Sequence, residues 1–117
     1  MFRFENLDVW QKAVDFADRV YVVSRGFPVE ERFGLTSQMR RASVSILSNI
    51  AEGTGRSSNK DFAHFVEIAY GSLMEAVSQT QIAFRQSFLN DADRGDLYMR
   101  AEEVARMLSG LKASLLR

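Results

Sequence analysis

The chain contains no cysteine, which excludes disulfides, thiolate metal sites and cysteine nucleophiles and fits a reducing compartment. It has one proline, Pro28, and seven glycines in 117 residues, a scarcity of breakers that points to helix. It has one histidine, His64, so a transition-metal site would depend on carboxylate partners, without the second histidine of an HExxH pattern. It has no net charge, since fifteen acidic residues offset fifteen basic ones. A simple electrostatic nucleic-acid binder needs excess positive charge to release counterions, so the balance argues against that class. No apolar run approaches the roughly 20 residues that span a bilayer. The opening MFRFENLDVW lacks the apolar stretch of a signal peptide, so the expected location is the cytoplasm. Low-complexity linkers and fixed-period repeats are missing too.

What is present is 46% hydrophobic and 26% charged residues, the make-up of one globular domain over residues 1–117. Twelve of the fifteen basic residues are arginine, the side chain suited to bidentate pairing with carboxylate or phosphate. A local basic patch therefore stays open.

Hydrophobic periodicity predicts four helices, at about 8–25, 35–53, 58–89 and 93–116. The first carries Val9, Trp10, Ala13, Val14, Ala17, Val20 and Tyr21 on one face, with Asn6 as its expected N-cap. Gly26-Phe27-Pro28 ends it, and Pro28 to Glu31 reads as a short helical turn. The second carries Leu35, Met39, Ala42, Ile46 and Ile50. The third starts at a Ser58 N-cap with Asp61 three residues on, and its apolar set runs from Phe62 to Phe88. Asn90 to Asp93 reads as a turn and cap. In the fourth, Leu97, Ala101, Val104, Leu108, Leu111 and Leu115 alternate steps of four and three, the seam of a bundle. No strand is credible. The expected fold is all-α, an antiparallel up-down four-helix bundle.

The second helix also has a polar stripe of unusual kind. Gln38, Arg41, Ser45, Ser48, Asn49 and Glu52 recur at steps of three and four, and several are poor helix formers that usually meet something specific. The third helix offers a complement in His64, Glu67, Gly71, Glu75, Ser78 and Gln79. Gly71 sits mid-helix, where glycine costs about 1 kcal/mol relative to alanine, and close approach of another backbone would explain it. The expectation is a polar network of Gln38, Arg41, Ser45, Asn49, Glu52, Glu67, Gly71 and Glu75, within the bundle or between subunits. Arg41 would pair with Glu75 or Glu67, and Arg41, Asn49 and Glu52 would be buried and hydrogen-bonded. The sharper alternative, an enzyme acting through His64, Glu67 and Glu75, needs a pocket that collects them with shifted pKa values. The plainer reading of His64 is a solvated or interface residue, with no catalytic residue, no metal and no cofactor.

Gly53-Thr54-Gly55-Arg56-Ser57-Ser58 resembles a phosphate-cradling loop at a helix N-terminus. It lacks the GxxxxGK[ST] pattern and follows no strand, so it reads first as a C-cap followed by an N-cap. Arg40, Arg56 and Lys60 are the candidate anion or nucleic-acid contacts, and Arg40-Arg41 with Arg56 and Lys60 would make a basic strip near one end of the bundle. No aromatic platform interleaves with them.

Several segments then read together: Phe4 to Ala13, Phe27 to Leu35, Gln38 to Ala42, Ser45-Ile46, Asn49 to Gly53, Phe62 to Phe65 and Ile68 to Leu73. They resemble the bacterial four-helix-bundle family named after proteins encoded in intervening sequences of 23S rRNA genes. The match covers roughly residues 4–89, and QMRRA followed by NIAEG is its most specific part. The resemblance implies a compact bundle that assembles into a barrel-like homopentamer, and the expected role of this chain is a non-enzymatic, self-associating scaffold or adaptor. The family also resembles the accessory protein of diversity-generating retroelements, a basic pentamer that engages reverse transcriptase and nucleic acid. This chain departs from the family in having Leu47 where a proline is frequent, in keeping one of two carboxylates around Glu75, and in its neutral charge.

Overall fold

A computed structural model describes all of residues 1–117. A 3₁₀ turn at Arg3–Asn6 leads into α1 (Asp8–Ser24), and a second at Val29–Glu31 leads into α2 (Leu35–Thr54). α3 (Asn59–Arg85) and α4 (Asp91–Leu115) follow, with no strand. At 1.5 Å per residue the 27 residues of α3 measure about 40 Å, close to the 43 Å long axis of the molecule. The helices therefore lie along that axis. The turns after α2 and α3 are far too short to return along it, so successive helices are antiparallel.

Each helix packs on its sequence neighbours and α1 closes on α4, while no Cα atoms of the diagonal pairs come within 8 Å of each other. The result is a four-cornered ring around one core. Phe16 and Val20 of α1 meet Met39, Ile46 and Ile50 of α2, Phe62, Val66 and Leu73 of α3, and Leu97, Val104 and Leu108 of α4, all essentially buried. Each such side chain stabilises the fold by roughly 1.5–3 kcal/mol relative to exposure. Buried alanines (Ala13, Ala17, Ala42, Ala69, Ala76, Ala83 and Ala101) let the helix backbones approach.

Polar contacts fix the register. Lys12 pairs with Glu103 at 3.1 Å, and Arg19 with Asp96 at 3.1 Å and Asp93 at 3.3 Å. The α1 number rises as the α4 number falls, so these helices are antiparallel. Lys112 with Glu67 (2.9 Å) and Gln81 with Tyr98 do the same for α4 and α3.

Some expectations are corrected. Asn6 does not cap α1; it ends the first 3₁₀ turn, and the N-cap is Leu7, which supplies no side-chain bond. Ser58 does cap α3, its hydroxyl accepting from the Asp61 amide at 3.1 Å, and Asn90 caps α4 through the Asp93 amide at 2.7 Å. α3 ends at Arg85, earlier than the apolar pattern suggested. Ser87 takes φ 65°, the Ser87 amide bonds the Phe84 carbonyl, and the Phe88 amide bonds the Ala83 carbonyl. This is a Schellman ending with serine in the left-handed position. It turns Phe88 onto the Phe27 ring at 5.6 Å between centroids, so the aromatic signal that seemed to prolong the helix belongs to the cap. Glycines at helix ends serve no positive φ, since no glycine has one. With Leu47 in place of proline, α2 runs unbroken from Leu35 to Thr54.

Candidate self-association face

The α2–α3 hairpin has an inner and an outer seam on each helix. On α3 the inner seam is Phe62, Val66, Ala69, Leu73, Ala76, Thr80 and Ala83, all buried. The outer seam, Ile68, Gly71, Glu75, Ser78 and Ile82, repeats the same alternation of three and four, and every member is exposed. Ile68 is 40% and Ile82 44% exposed, with Met74 at 42% beside them. On α2 the outer row is Gln38, Arg41, Ser45, Ser48 and Glu52, flanked by the exposed Val44.

The structure brings only part of the predicted network together. Asn49 is half-buried, and its Nδ2 donates to the Ser45 carbonyl at 2.8 Å and to Ser45 Oγ at 3.0 Å. Ser45 Oγ in turn shares a 2.9 Å hydrogen bond with Ser72 Oγ, joining α2 to α3. Ser72 belongs to this network and the sequence reading missed it as a site residue. The available signal was the same as for Ser45, a serine in a helix interior.

The charged members stay outside. Gln38, Arg41 and Glu52 are exposed, which corrects the expectation of burial for Arg41 and Glu52 within the bundle. Arg41 lies within 4.0 Å of neither Glu67 nor Glu75. Glu75 instead accepts from Gln79 Nε2 at 3.2 Å. Gln38, Arg41, Ser45 and Glu75 do line one shallow cleft of about 270 Å³ on the hairpin. Glu67 looks toward α4, where the hydrogen bond and charge of Lys112 hold its carboxyl below the ordinary range. Gly71 is open: a Cβ built there meets nothing within 4 Å. The close approach expected at Gly71 is found at Gly53, where a Cβ would lie 2.6 Å from Phe62 Cδ1 and 3.1 Å from Phe65 Cβ.

The enzyme constellation is not assembled. His64, Glu67 and Glu75 are all exposed. Glu67 is paired with Lys112 and stands about 12 Å along α3 from Glu75. No group of three or more His, Asp or Glu side chains is placed to hold a metal ion.

The predicted basic strip is also corrected. Arg40 lies in the second turn of α2 and Arg56 beyond its far end, about 24 Å apart along the axis. Arg40 stacks over Tyr21 at 4.8 Å and donates to Ser24 Oγ at 2.9 Å, whereas Arg56 stacks over Phe65 at 4.4 Å. Lys60 lines a separate shallow cleft with Asp61, His64 and Glu67. No helix is long and apolar enough to cross a membrane.

Fold and site together define a class: a four-helix bundle whose second and third helices display an outward seam of mixed polarity. Within that class, residues 5–110 match the 23S rRNA-intervening sequence protein family, and the chain belongs to it. Its fold is similar to that of a crystallised Bacteroides thetaiotaomicron protein of unknown function from the S23 ribosomal protein family. The TM-score is 0.82 at 22% identity, covering 90% of this chain and 95% of that one. No curated protein matches the chain.

Proposed function

We propose that this protein is a self-associating helical scaffold, a homo-oligomer that the family resemblance suggests is a pentamer, with subunits meeting through the outer seams of α2 and α3. The observation that carries the reading is the heptad-like row Ile68, Gly71, Glu75, Ser78 and Ile82, exposed along a helix whose opposite row already fills the core. Bundle seams with this spacing pack against other helices. The occupant that suits it is a second copy. Exposed Ile68, Met74, Ile82 and Val44 supply apolar contact, while unpaired Arg41 and Glu52 on one row offer charges of opposite sign to an identical row. Gly71 leaves a gap where another helix backbone can approach.

Light scattering on the intact protein tests this, with a mass near five times 13.3 kDa expected. A Cβ at position 71 meets nothing within 4 Å in its own chain, so Gly71→Arg should keep the helical circular dichroism yet dissociate the particle. A wild-type monomer at all concentrations, or an undisturbed oligomer in Gly71→Arg, would refute the proposed face.

A nucleic-acid accessory role is the weaker reading. It is supported by the exposed Arg56 and Lys60 at the α2–α3 turn and opposed by the neutral charge. Binding to RNA or DNA that falls steeply with salt would support it.

A further inference from the structure

The end of the bundle where α1 hands over to α2 carries a cleft of about 340 Å³, lined among others by Ser24, Arg25, Phe27, Arg32, Thr36 and Arg40. This is near the lower end of small-ligand clefts, roughly 300–1,000 Å³. Its chemistry is one-sided. Three of its eight lining residues are arginines, and none is an acid. No carboxylate oxygen lies within 4.0 Å of any of the three. The nearest acids in sequence are Glu30 and Glu31 of the 3₁₀ turn, and Glu31 Oε1 is already engaged by the Leu35 amide at 3.1 Å. Arg40 is held in place by Tyr21 beneath its guanidinium and by its Nε bond to the buried Ser24 hydroxyl. A guanidinium has five donors, and this bond uses one.

Two further features face the same need. Thr36 is 7% exposed, and its hydroxyl oxygen is fully buried without any hydrogen-bond partner. A buried hydroxyl left unsatisfied costs roughly 1–3 kcal/mol, so a site that retains one is incomplete by itself. Thr36 also lies in the first turn of α2, a 20-residue helix whose N-cap, Gly34, offers no side chain. Glu31 takes the Leu35 amide, but no hydrogen bond reaches the Thr36 and Ser37 amides, and unpaired amides at the positive dipole end of a helix favour an anion.

From this juxtaposition we infer that the α1–α2 cleft is an anion-binding site for a small phosphate-bearing ligand. Arg25 and Arg32 supply charge from its rim. Arg40 is the pre-oriented donor, and rotation about χ1 of Thr36, which lines the cleft, brings its closed-off, unpartnered hydroxyl to a ligand oxygen. A tetrahedral phosphate with several acceptor oxygens matches forked guanidinium donors better than a halide does. The site lies at the opposite end of α2 from Arg56, and the outer-seam residues Gly71 and Ile82 do not line it, so it stands or falls separately from self-association.

The test is a titration of the full chain with inorganic phosphate and with adenosine 5′-monophosphate, at constant ionic strength, followed by backbone amide NMR. Saturable shifts centred on residues 32–40 are expected. The exposed pair Arg25→Gln and Arg32→Gln together should weaken binding at least about tenfold while leaving the helical spectrum intact. Thr36→Val should weaken binding without lowering the melting temperature, because it removes an unsatisfied hydroxyl at constant shape. Tighter binding of the nucleotide would identify a phosphomonoester as the ligand, and equal binding the free ion. Non-saturating shifts, the same shifts with chloride, wild-type affinity in the double variant, or binding confined to a single-stranded oligonucleotide would overturn the inference.

Discussion

Gly53 is kept small by a neighbouring ring rather than by its own backbone. Its φ is not positive, and it lies inside α2, but Phe62 and Phe65 occupy the volume a methyl group would need. Phe62 is 2% exposed and cannot move aside cheaply. Gly53→Ala should therefore destabilise the protein by about 1–2 kcal/mol. Overpacking costs roughly 1–3 kcal/mol, and the better helix propensity of alanine returns up to about 1 kcal/mol. Gly71→Ala should do the reverse in a dissociated chain, stabilising it by up to about 1 kcal/mol. Urea denaturation of both variants, at concentrations below assembly, distinguishes them. The sequence suggested a C-cap at Gly53 and the close approach at Gly71, because spacing along one helix does not say what an adjoining helix places opposite. Glu67 offers a second residue-level check. Lys112 lowers its folded-state pKa, so any stability it contributes is present above the unfolded value of about 4.3 and is lost as pH falls through the folded value. The side chain is exposed, so the readout is its own titration: the Glu67 carboxyl should titrate below an ordinary glutamate in wild type and return upward in Lys112→Gln. An identical midpoint in the two proteins would contradict the pairing.

At the level of elements, helix starts were more legible than helix ends. Ser58 and Asn90 announce α3 and α4 because a side-chain oxygen at an N-cap is a local chemical need. The end of α3 was hidden because Ser87 adopts φ 65° where glycine would have been the visible signal. A non-glycine residue in that region costs of order 1 kcal/mol or more. Ser87→Gly should relieve most of this, less the added entropy of an unfolded glycine, for a net stabilisation from a few tenths to about 1 kcal/mol. Chemical denaturation gives the value; an equal loss would mean that the serine side chain contributes something its backbone position does not suggest. The polar stripe of α2 lies along one side of the helix and is only partly a network. Ser45 and Asn49 are short and find partners on their own helix and on α3, whereas Arg41 and Glu52 reach outward.

For the whole molecule, the four-helix ring followed from the period of the apolar residues alone, since a core seam is a property of each helix by itself. The outer seam was harder to recognise. Its members are half polar and face away from the core. If the seam binds a second copy, unfolding is coupled to assembly, and the denaturation midpoint rises with protein concentration; in Gly71→Arg that dependence should vanish. The candidate cleft was still less legible, because it gathers Ser24 from one helix, Arg32 from a turn and Thr36 and Arg40 from another, a convergence set by the α1–α2 connection rather than by any motif.

The antiparallel pairing of Lys12 with Glu103 and of Arg19 with Asp93 and Asp96 also gives the bundle two unlike poles. Both chain ends and the Arg56 turn share one pole, where Arg3 stacks on Phe62 and Leu116 lies in a cleft with Lys60. The arginine-lined cleft and the Phe27–Phe88 contact occupy the other, across a molecule 43 Å long. A tag, fluorophore or surface tether attached at either terminus would therefore leave the cleft facing outward, and immobilised protein would present that pole uniformly to a ligand in solution.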